Sequence, residues 1–334
     1  MKWFLLVFSL LTVQVALPQT IRPTEYEGIG ITGDSADVSV PTELGIVLMG
    51  GSTDVDQALQ WMISRAKGGD VVVIRASGST GYNDYLYGLG PVNSVETLLI
   101  DSREKALKES VGKRIREAEM LFIAGGDQWN YVRFWSNSEV SDAIRYLIDE
   151  KKVPIGGTSA GCAVLTGYIF DASHGSAYSK DVLKNPYDST VSISKSFISL
   201  PFLGNTISDQ HYSQRERQGR HVTFMARMLN DGKVEQAKGI GVDEKTALCI
   251  DGSGNAYAFG TNLVYILISS PLLPEHCKPN DPLTMDLKGK AVCAYIFKAS
   301  DSGTPVYNLQ ENPPGKPTEF WSVSTGELKR VKNQ

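Results

Sequence analysis

The sequence predicts an α/β protein built on a mostly parallel sheet with helices on both faces. Three observations carry that prediction. Short runs between residues 44 and 155 are apolar throughout, without the in-and-out alternation of a half-solvated strand. Stretches with helical spacing separate them. Glycine pairs at 50–51 and 125–126 stop two of the runs abruptly. A strand that is apolar on both sides must be covered on both sides, the situation of parallel strands joined by helical crossovers.

Taken in order, residues 22–41 are a polar lead-in, and residues 44–49 (LGIVLM) form the first buried strand. Residues 54–67 form a helix, because Val55, Leu59, Met62, Ile63 and Ala66 share one face. Residues 70–75 (DVVVIR) are a second strand, followed by a Gly/Ser-rich loop at 76–81, and residues 95–100 are a third. A charged helix at 110–119 leads to a strand at 120–124. A helix at 140–150 leads to a strand beginning at 153. An apolar, strand-like run follows at 197–203. Beyond about residue 237 the texture changes to strands joined by Gly- and Asn-containing turns, at 241–250, 255–260, 263–269 and 291–298. These are expected as an antiparallel extension of the same sheet. The tail, with Pro313, Pro314 and Pro317, is expected to lie on the surface. Residues 42–334 read as a single catalytic domain.

Composition narrows the function. The chain has 334 residues, 42% of them hydrophobic, and a formal charge of −4. No excess of basic charge is available to neutralise phosphate backbones, so nucleic acid is not an expected partner. Lys2 followed by an apolar stretch over 3–16 reads as a secretory signal peptide over residues 1–19, shorter than the roughly 20 apolar residues of a membrane span. The expected protein is therefore secreted or periplasmic and free of the membrane after signal removal. Cys162 and Cys249 sit in apolar runs and read as buried hydrophobes, while Cys277 and Cys293 flank a loop and are candidates for a disulfide. The sequence has no Cys/His cluster with zinc-like spacing, so neither metal nor cofactor is expected.

The strongest local signal is Gly157-Thr158-Ser159-Ala160-Gly161, a G-x-S-x-G run between a strand and a helical stretch. That context suits a sharp turn presenting a nucleophilic serine, with flanking glycines that avoid Cβ clashes. The bland reading is a small-residue turn that packs a helix on a sheet. A serine needs a base to attack at neutral pH. The chain offers His174, His211, His221 and His276. His211, in Asp209-Gln210-His211-Tyr212 after a strand-like run, and His174, in the loop after the elbow, are the leading candidates on position alone. Gly125-Gly126-Asp127-Gln128 closes a strand and exposes backbone N–H groups. They suit an oxyanion hole as well as they suit a plain turn.

Taken together, GGDQ at 125–128, GTSAG at 157–161, DQHYSQRERQGR at 209–220 and GIGVDEKTAL at 239–248 resemble, in content and order, the cyanophycinase-like branch of the S51 serine peptidases. The resemblance runs from about residue 45 to 268. It implies a flavodoxin-like fold, also described as class I glutamine amidotransferase-like, a three-layer α/β sandwich. It implies Ser159 as nucleophile, His211 as general base and Glu244 as the acid that orients the imidazole. Without the resemblance Glu244 reads as a surface acid. It places Gln128, with Gly126, Asp127 and Ala160, at the oxyanion or substrate, and Asp209, Gln210, Arg215, Arg217 and Arg220 in the binding pocket. Arg215 and Arg217 would point about 200° apart on a regular helix, so their convergence requires a turn leading into one. Two departures from the family pattern stand out, Tyr212 where Phe is frequent and Cys162 after the elbow.

The implied activity is exopeptidase hydrolysis of β-aspartyl-arginine units of cyanophycin or related aspartyl peptides, by a Ser-His-Glu triad without a cofactor. The implied partner is a peptide or polymer bearing aspartate, and the resemblance leaves room for a homodimer. The alternatives are an α-aspartyl or isoaspartyl dipeptidase of the same family, and a secreted binding protein that has lost catalysis on the same fold. An α/β-hydrolase esterase shares G-x-S-x-G, but its acid normally precedes its histidine, whereas Glu244 follows His211.

Overall fold

The computed structural model describes residues 27–313 and 315–333. The expected signal peptide lies outside the described residues. Among them, no helix is long and apolar enough to cross a membrane.

The first half of the chain supplies β1 (Gly28–Gly33), β2 (Gly45–Met49), β3 (Asp70–Arg75), β4 (Ser94–Leu99), β5 (Met120–Ile123) and β6 (Pro154–Thr158). Strands β4, β3, β5, β6 and β2 lie side by side and parallel. Alternation along each strand decides the layering. Ile46, Leu48, Val72, Ile74, Leu121 and Ile123 enter one core layer. Val47, Met49, Val71, Val73, Met120 and Phe122 enter the other. Both sets are fully buried, which is why the runs are apolar at every position.

Helices α1 (Asp56–Ala66) and α2 (Gly81–Leu89) cover the second layer through Leu59, Met62, Ile63 and Leu86. Helices α3 (Arg103–Ala106), α4 (Glu109–Arg116), α5 (Gln128–Trp135) and α6 (Glu139–Tyr146) cover the first through Ala106, Ile115, Trp135 and Ile144. The parallel α/β core is thus the one the sequence predicts.

The second half supplies α7 (Ala160–Ala163), β7 (Tyr168–Phe170), α8 (Ser179–Val182), β8 (Ile193–Lys195), β9 (Thr206–Asp209), α9 (Gln218–Asn230), β10 (Lys238–Val242) and β11 (Thr246–Asp251). It continues with β12 (Asn255–Gly260), β13 (Leu263–Ser269), β14 (Val292–Lys298), β15 (Thr304–Asn308), β16 (Glu319–Ser324) and β17 (Glu327–Lys332). Here the arrangement differs from the single extended sheet expected. Only β11, β12 and β15 extend the first sheet, antiparallel, beyond β2. The others form a second, eight-stranded sheet in the order β17-β16-β14-β13-β10-β9-β7-β8. Twisted sheets with more than about ten strands tend to split into packed layers. The inner face of the second sheet buries Ile240, Val242, Val264 and Ile266 in the same core layer as the first sheet. Its other face packs Tyr265 and Leu267 with Val222, Phe224 and Met225 of α9.

The run 241–250, expected as one strand, divides at Asp243, Glu244 and Lys245, where the chain leaves the second sheet for the first. Lys245 takes a left-handed φ of 55° there. Residues 197–203 are not a strand. Ile198, Leu200 and Leu203 are buried from a loop, and the strand that precedes His211 is β9. The expected lead-in contains β1, paired antiparallel with β4. The tail, expected on the surface, ends in the hairpin β16–β17 on the second sheet, with Trp321 and Val323 fully buried. Cys277 and Cys293 are free thiols, not a disulfide. Cys277 packs in the layer that holds Val292 and Ala294, and strand alternation turns Cys293 to the opposite face.

Candidate active site

β2, β5 and β6 run parallel, so their carboxyl ends open on the same edge, the usual place for ligands on such sheets. β6 ends in Thr158, and Ser159 turns the chain into α7 at φ 52° and ψ −116°, a sparsely populated conformation for a residue with a side chain. The Ser159 N–H donates to the Met49 carbonyl at 3.1 Å, which pins the turn to β2. Gly161 lets the elbow sit against β5, since a Cβ there would lie 2.0 Å from the Ile123 carbonyl oxygen.

His211 follows β9 with φ 47°, and its N–H donates to the Gly50 carbonyl at 2.9 Å. Glu244 lies in the link between β10 and β11, and the N–H of Lys245 donates to the Gly51 carbonyl at 3.1 Å. Three consecutive carbonyls, Met49 to Gly51, thus anchor the backbones that carry Ser159, His211 and Glu244. The side chains meet: Ser159 Oγ is 2.9 Å from His211 Nε2, and His211 Nδ1 is 2.7 Å from Glu244 Oε1. A carboxylate only accepts, so the Nδ1–H donates to Glu244, and Nε2 is left to accept from the serine hydroxyl.

Gly51 is the residue that sequence reasoning missed. It sits at φ 93°, and a Cβ there would come 2.6 Å from His211 Cε1, 2.7 Å from Nε2 and 3.0 Å from Ser159 Cβ. The imidazole packs on the bare face of this glycine. The available signal was the Gly50-Gly51 pair, which reads merely as a strand end.

Beside the serine lies a cavity of about 320 Å³, lined by Gly126, Gln128, Ala160, Phe170, Gln210, Arg215 and Arg217 among others. Asp127 and Arg220 also border it. Ala160 opens the first turn of α7, where backbone N–H groups have no preceding carbonyl in register. Asp127 caps α5 by accepting from Trp129 N–H at 2.9 Å, and Gln128 Nε2 lies 3.4 Å from the Phe170 carbonyl. The arginines converge because the chain makes a 3-10 turn over Ser213–Arg215 and then a left-handed step at Glu216, φ 49°, before α9 begins.

Those arginines differ in what they leave free. Arg220 gives two N–H bonds to Asp209 and one to the Ala177 carbonyl, so its guanidinium is committed. Arg217 shares one nitrogen among Asp209, the Gln210 carbonyl and Gln210 Oε1. Arg215 is exposed and pairs with no carboxylate among the described residues. Asp209 is buried beneath Arg217 and Arg220 and does not reach the cavity wall. Of the other histidines, His174 is exposed on the loop that carries Ala172 and Gly175, His221 is buried in α9, and His276 pairs with Asp281.

Burial acts first on His211 and holds its proton affinity below the ordinary imidazole value. The Glu244 bond works against this shift, and the charges of Arg215 and Arg217 add to it. Burial pushes the Arg217 guanidinium down to about 10, with Asp209 opposing and Arg220 and Arg215 contributing. Burial disfavours the Asp209 carboxylate, but Arg220 and Arg217 outweigh it and keep the group below the usual carboxylate range.

A serine held at the carboxyl edge of a parallel sheet and bonded to a buried imidazole backed by a carboxylate defines a serine-hydrolase type of α/β protein. The model of peptidase family S51 matches residues 80–257, more than half of the chain, and the chain belongs to that family. It is a cyanophycinase-like, serine-type peptidase. It is 29% identical over 255 residues to the cyanophycinase of Synechococcus elongatus, covering 72% of this chain and 74% of that one. The same figures hold for the cyanophycinase of Thermosynechococcus vestitus. A solved peptidase from an acI-B1 Actinobacterium aligns with 68% of this chain and 91% of its own, at 17% identity and a TM-score of 0.48.

Proposed function

We propose that this chain hydrolyses β-aspartyl-arginine units of cyanophycin, or a related aspartyl peptide, with Ser159 as nucleophile, His211 as general base and Glu244 as the group that orients the imidazole. The observation that carries this reading is the unbroken relay from Ser159 Oγ through the His211 ring to Glu244, at 2.9 and 2.7 Å. Ser159 Oγ attacks the scissile carbonyl carbon as its proton passes to His211 Nε2. The N–H groups of Gly126 and Ala160 are the candidate donors to the resulting oxyanion. The imidazolium then protonates the departing amine, and the same nitrogen later activates a water that releases the acyl group.

The free guanidinium of Arg215 and the unshared side of Arg217 suit a substrate carboxylate, which guanidinium forks bind well. That chemistry fits an aspartyl substrate, and the names of the relatives at 29% identity support the same choice. The proposal includes export through residues 1–19. The N-terminal residue of the protein recovered outside the cell tests that part.

The decisive measurement is release of β-aspartyl-arginine dipeptide from cyanophycin by the full chain and by Ser159→Ala. A loss of about 10⁴-fold or more is expected. Parent-level turnover by the variant would overturn the triad. Comparison of kcat/KM on α-linked aspartyl dipeptides assigns the substrate: a higher value there makes the chain an α-aspartyl dipeptidase.

A further inference from the structure

We propose that Gln214 and Asn262 are positioning residues for the reaction: together they clamp the two peptide groups of Glu244 and so keep its carboxylate aimed at the His211 ring. The inference rests on the reading of Ser159, His211 and Glu244 as a triad.

The three triad residues are not held alike. The N–H groups of Ser159 and His211 are bonded to main-chain carbonyls, those of Met49 and Gly50. Glu244 lies between the end of β10 at Val242 and the start of β11 at Thr246, where the chain passes from one sheet to the other outside either ladder. Its neighbours still find main-chain partners. The Asp243 N–H donates to the Leu263 carbonyl and the Lys245 N–H to the Gly51 carbonyl, each at 3.1 Å. Among the described residues, Glu244 is held by side chains instead. Its N–H donates to Gln214 Oε1 at 3.0 Å. Its carbonyl accepts from Asn262 Nδ2 at 2.8 Å and from the Thr246 hydroxyl at 3.2 Å.

The chemistry fixes which end of each amide is used. A peptide N–H only donates and a peptide carbonyl only accepts, so Gln214 must present its oxygen and Asn262 its NH2 group. Asn262 is itself anchored in the turn before β13: its N–H donates to Thr246 Oγ1 at 3.0 Å, and its carbonyl accepts from the Ala299 N–H at 2.9 Å. Gln214 sits in the 3-10 turn, three residues beyond His211. The segment that carries the base therefore holds the acid twice, through His211 Nδ1 at 2.7 Å and through Gln214.

Such a clamp is needed because the acid stands in a link. A residue between two sheets can rotate its peptide planes without breaking a ladder bond, and each rotation swings the carboxylate away from Nδ1. The Glu244 side chain is also 26% exposed, so water competes with the imidazole for its oxygens. Anchors on both peptide groups remove that freedom. The imidazole then keeps its proton on Nδ1 and its lone pair on Nε2, facing Ser159. Neutral amides do this without adding a charge beside the ring.

The test compares Gln214→Met, which keeps the length of the side chain without its carbonyl acceptor, with Gln214→Glu, which keeps an acceptor. In the release of dipeptide from cyanophycin, Gln214→Met is expected to lower kcat about tenfold with KM within about twofold of the parent. Gln214→Glu is expected to restore most of the rate. Asn262→Leu should cost a similar factor, and the two losses together about 10²-fold. In a Glu244→Ala background the same substitutions should change kcat by less than about twofold, because the clamp acts only through the carboxylate that it aims. A general loosening of the fold would lower the rate in both backgrounds.

A second readout is the proton NMR resonance of the His211 Nδ1–H, which the bond to Glu244 places at low field. Gln214→Met and Asn262→Leu should move it upfield and broaden it, and Gln214→Glu should leave it in place. A parent-level kcat in the Gln214→Met, Asn262→Leu double variant, an equal further loss with and without Glu244, or an unmoved Nδ1–H resonance overturns the clamp. Should Glu244→Ala keep the parent rate, the triad reading itself has failed. An impaired Glu244→Ala beside an unimpaired double variant sinks only the clamp.

Discussion

Gly51 is where one atom decides the geometry of the site. A methyl group at this position would overlap the His211 ring edge, and its φ of 93° is one that side chains rarely adopt. Gly51→Ala is therefore expected to push the imidazole off Ser159 while the β2 strand stays paired. Displacement on the order of 1 Å costs roughly 10²-fold in rate. Steady-state kinetics should show that loss in kcat with KM little changed, and circular dichroism should show a folded protein. An unchanged kcat would mean that the glycine serves the turn alone. Ser159 was legible in the sequence because strand, G-x-S-x-G and helix are contiguous. Position gave His211 only a modest lead over His174, because its partner is 52 residues away and carried by the other sheet. The resemblance settled the choice between them. Gly51 was illegible because its function is a contact made by the absence of an atom.

At the scale of elements, the turn into α9 is organised around a buried charge. Asp209 takes two bonds from Arg220 and one from Arg217. Asp209→Asn leaves two guanidiniums short of a counter-charge, and a cost of about 3–5 kcal/mol is expected by chemical denaturation. The sign of its pH dependence follows from the depressed carboxyl. The stabilisation is fully present above the unfolded value near 3.9 and is lost as pH falls through the folded value, so parent and variant should converge in acid. A difference that persists unchanged at low pH would assign the loss to packing.

Tyr212, one of the two departures from the family pattern, has a local reason. His221 Nε2–H donates to the Ile207 carbonyl at 3.0 Å, so Nδ1 must accept, and the Tyr212 hydroxyl supplies the proton at 3.1 Å. Tyr212→Phe strands that buried acceptor and should cost about 1–3 kcal/mol in denaturant unfolding. No loss would mean that His221 finds another donor. The convergence of the arginines was partly legible, since a regular helix could not bring Arg215 and Arg217 together. The left-handed step at Glu216 that achieves it was not.

At the scale of the whole molecule, the site spans two sheets, with Ser159 held by the first and His211 by the second. The parallel core was legible because every residue of its strands is apolar. The second sheet was not, because the runs at 241–250 and 263–269 carry no signal of which sheet they join. The most consequential unread element is the hairpin β16–β17. Trp321 is fully buried in the layer beneath α9, 6.1 Å from the Tyr265 ring, which lies 5.0 Å from Tyr212 beside His211. Its indole N–H donates to Glu319 Oε2 at 2.7 Å, and Arg330 on the partner strand holds the same carboxylate. The hairpin also covers β14, whose exposed backbone would otherwise be a free sheet edge. Trp321→Ala should therefore cost about 3–5 kcal/mol, read as a lower denaturant midpoint. Labelling by a serine-directed covalent probe should fall with the folded fraction, because the indole reaches the triad only through the aromatic row. Unfolding at the parent midpoint would show the hairpin to be an appendage and remove the reason for including it in the fold that carries the site.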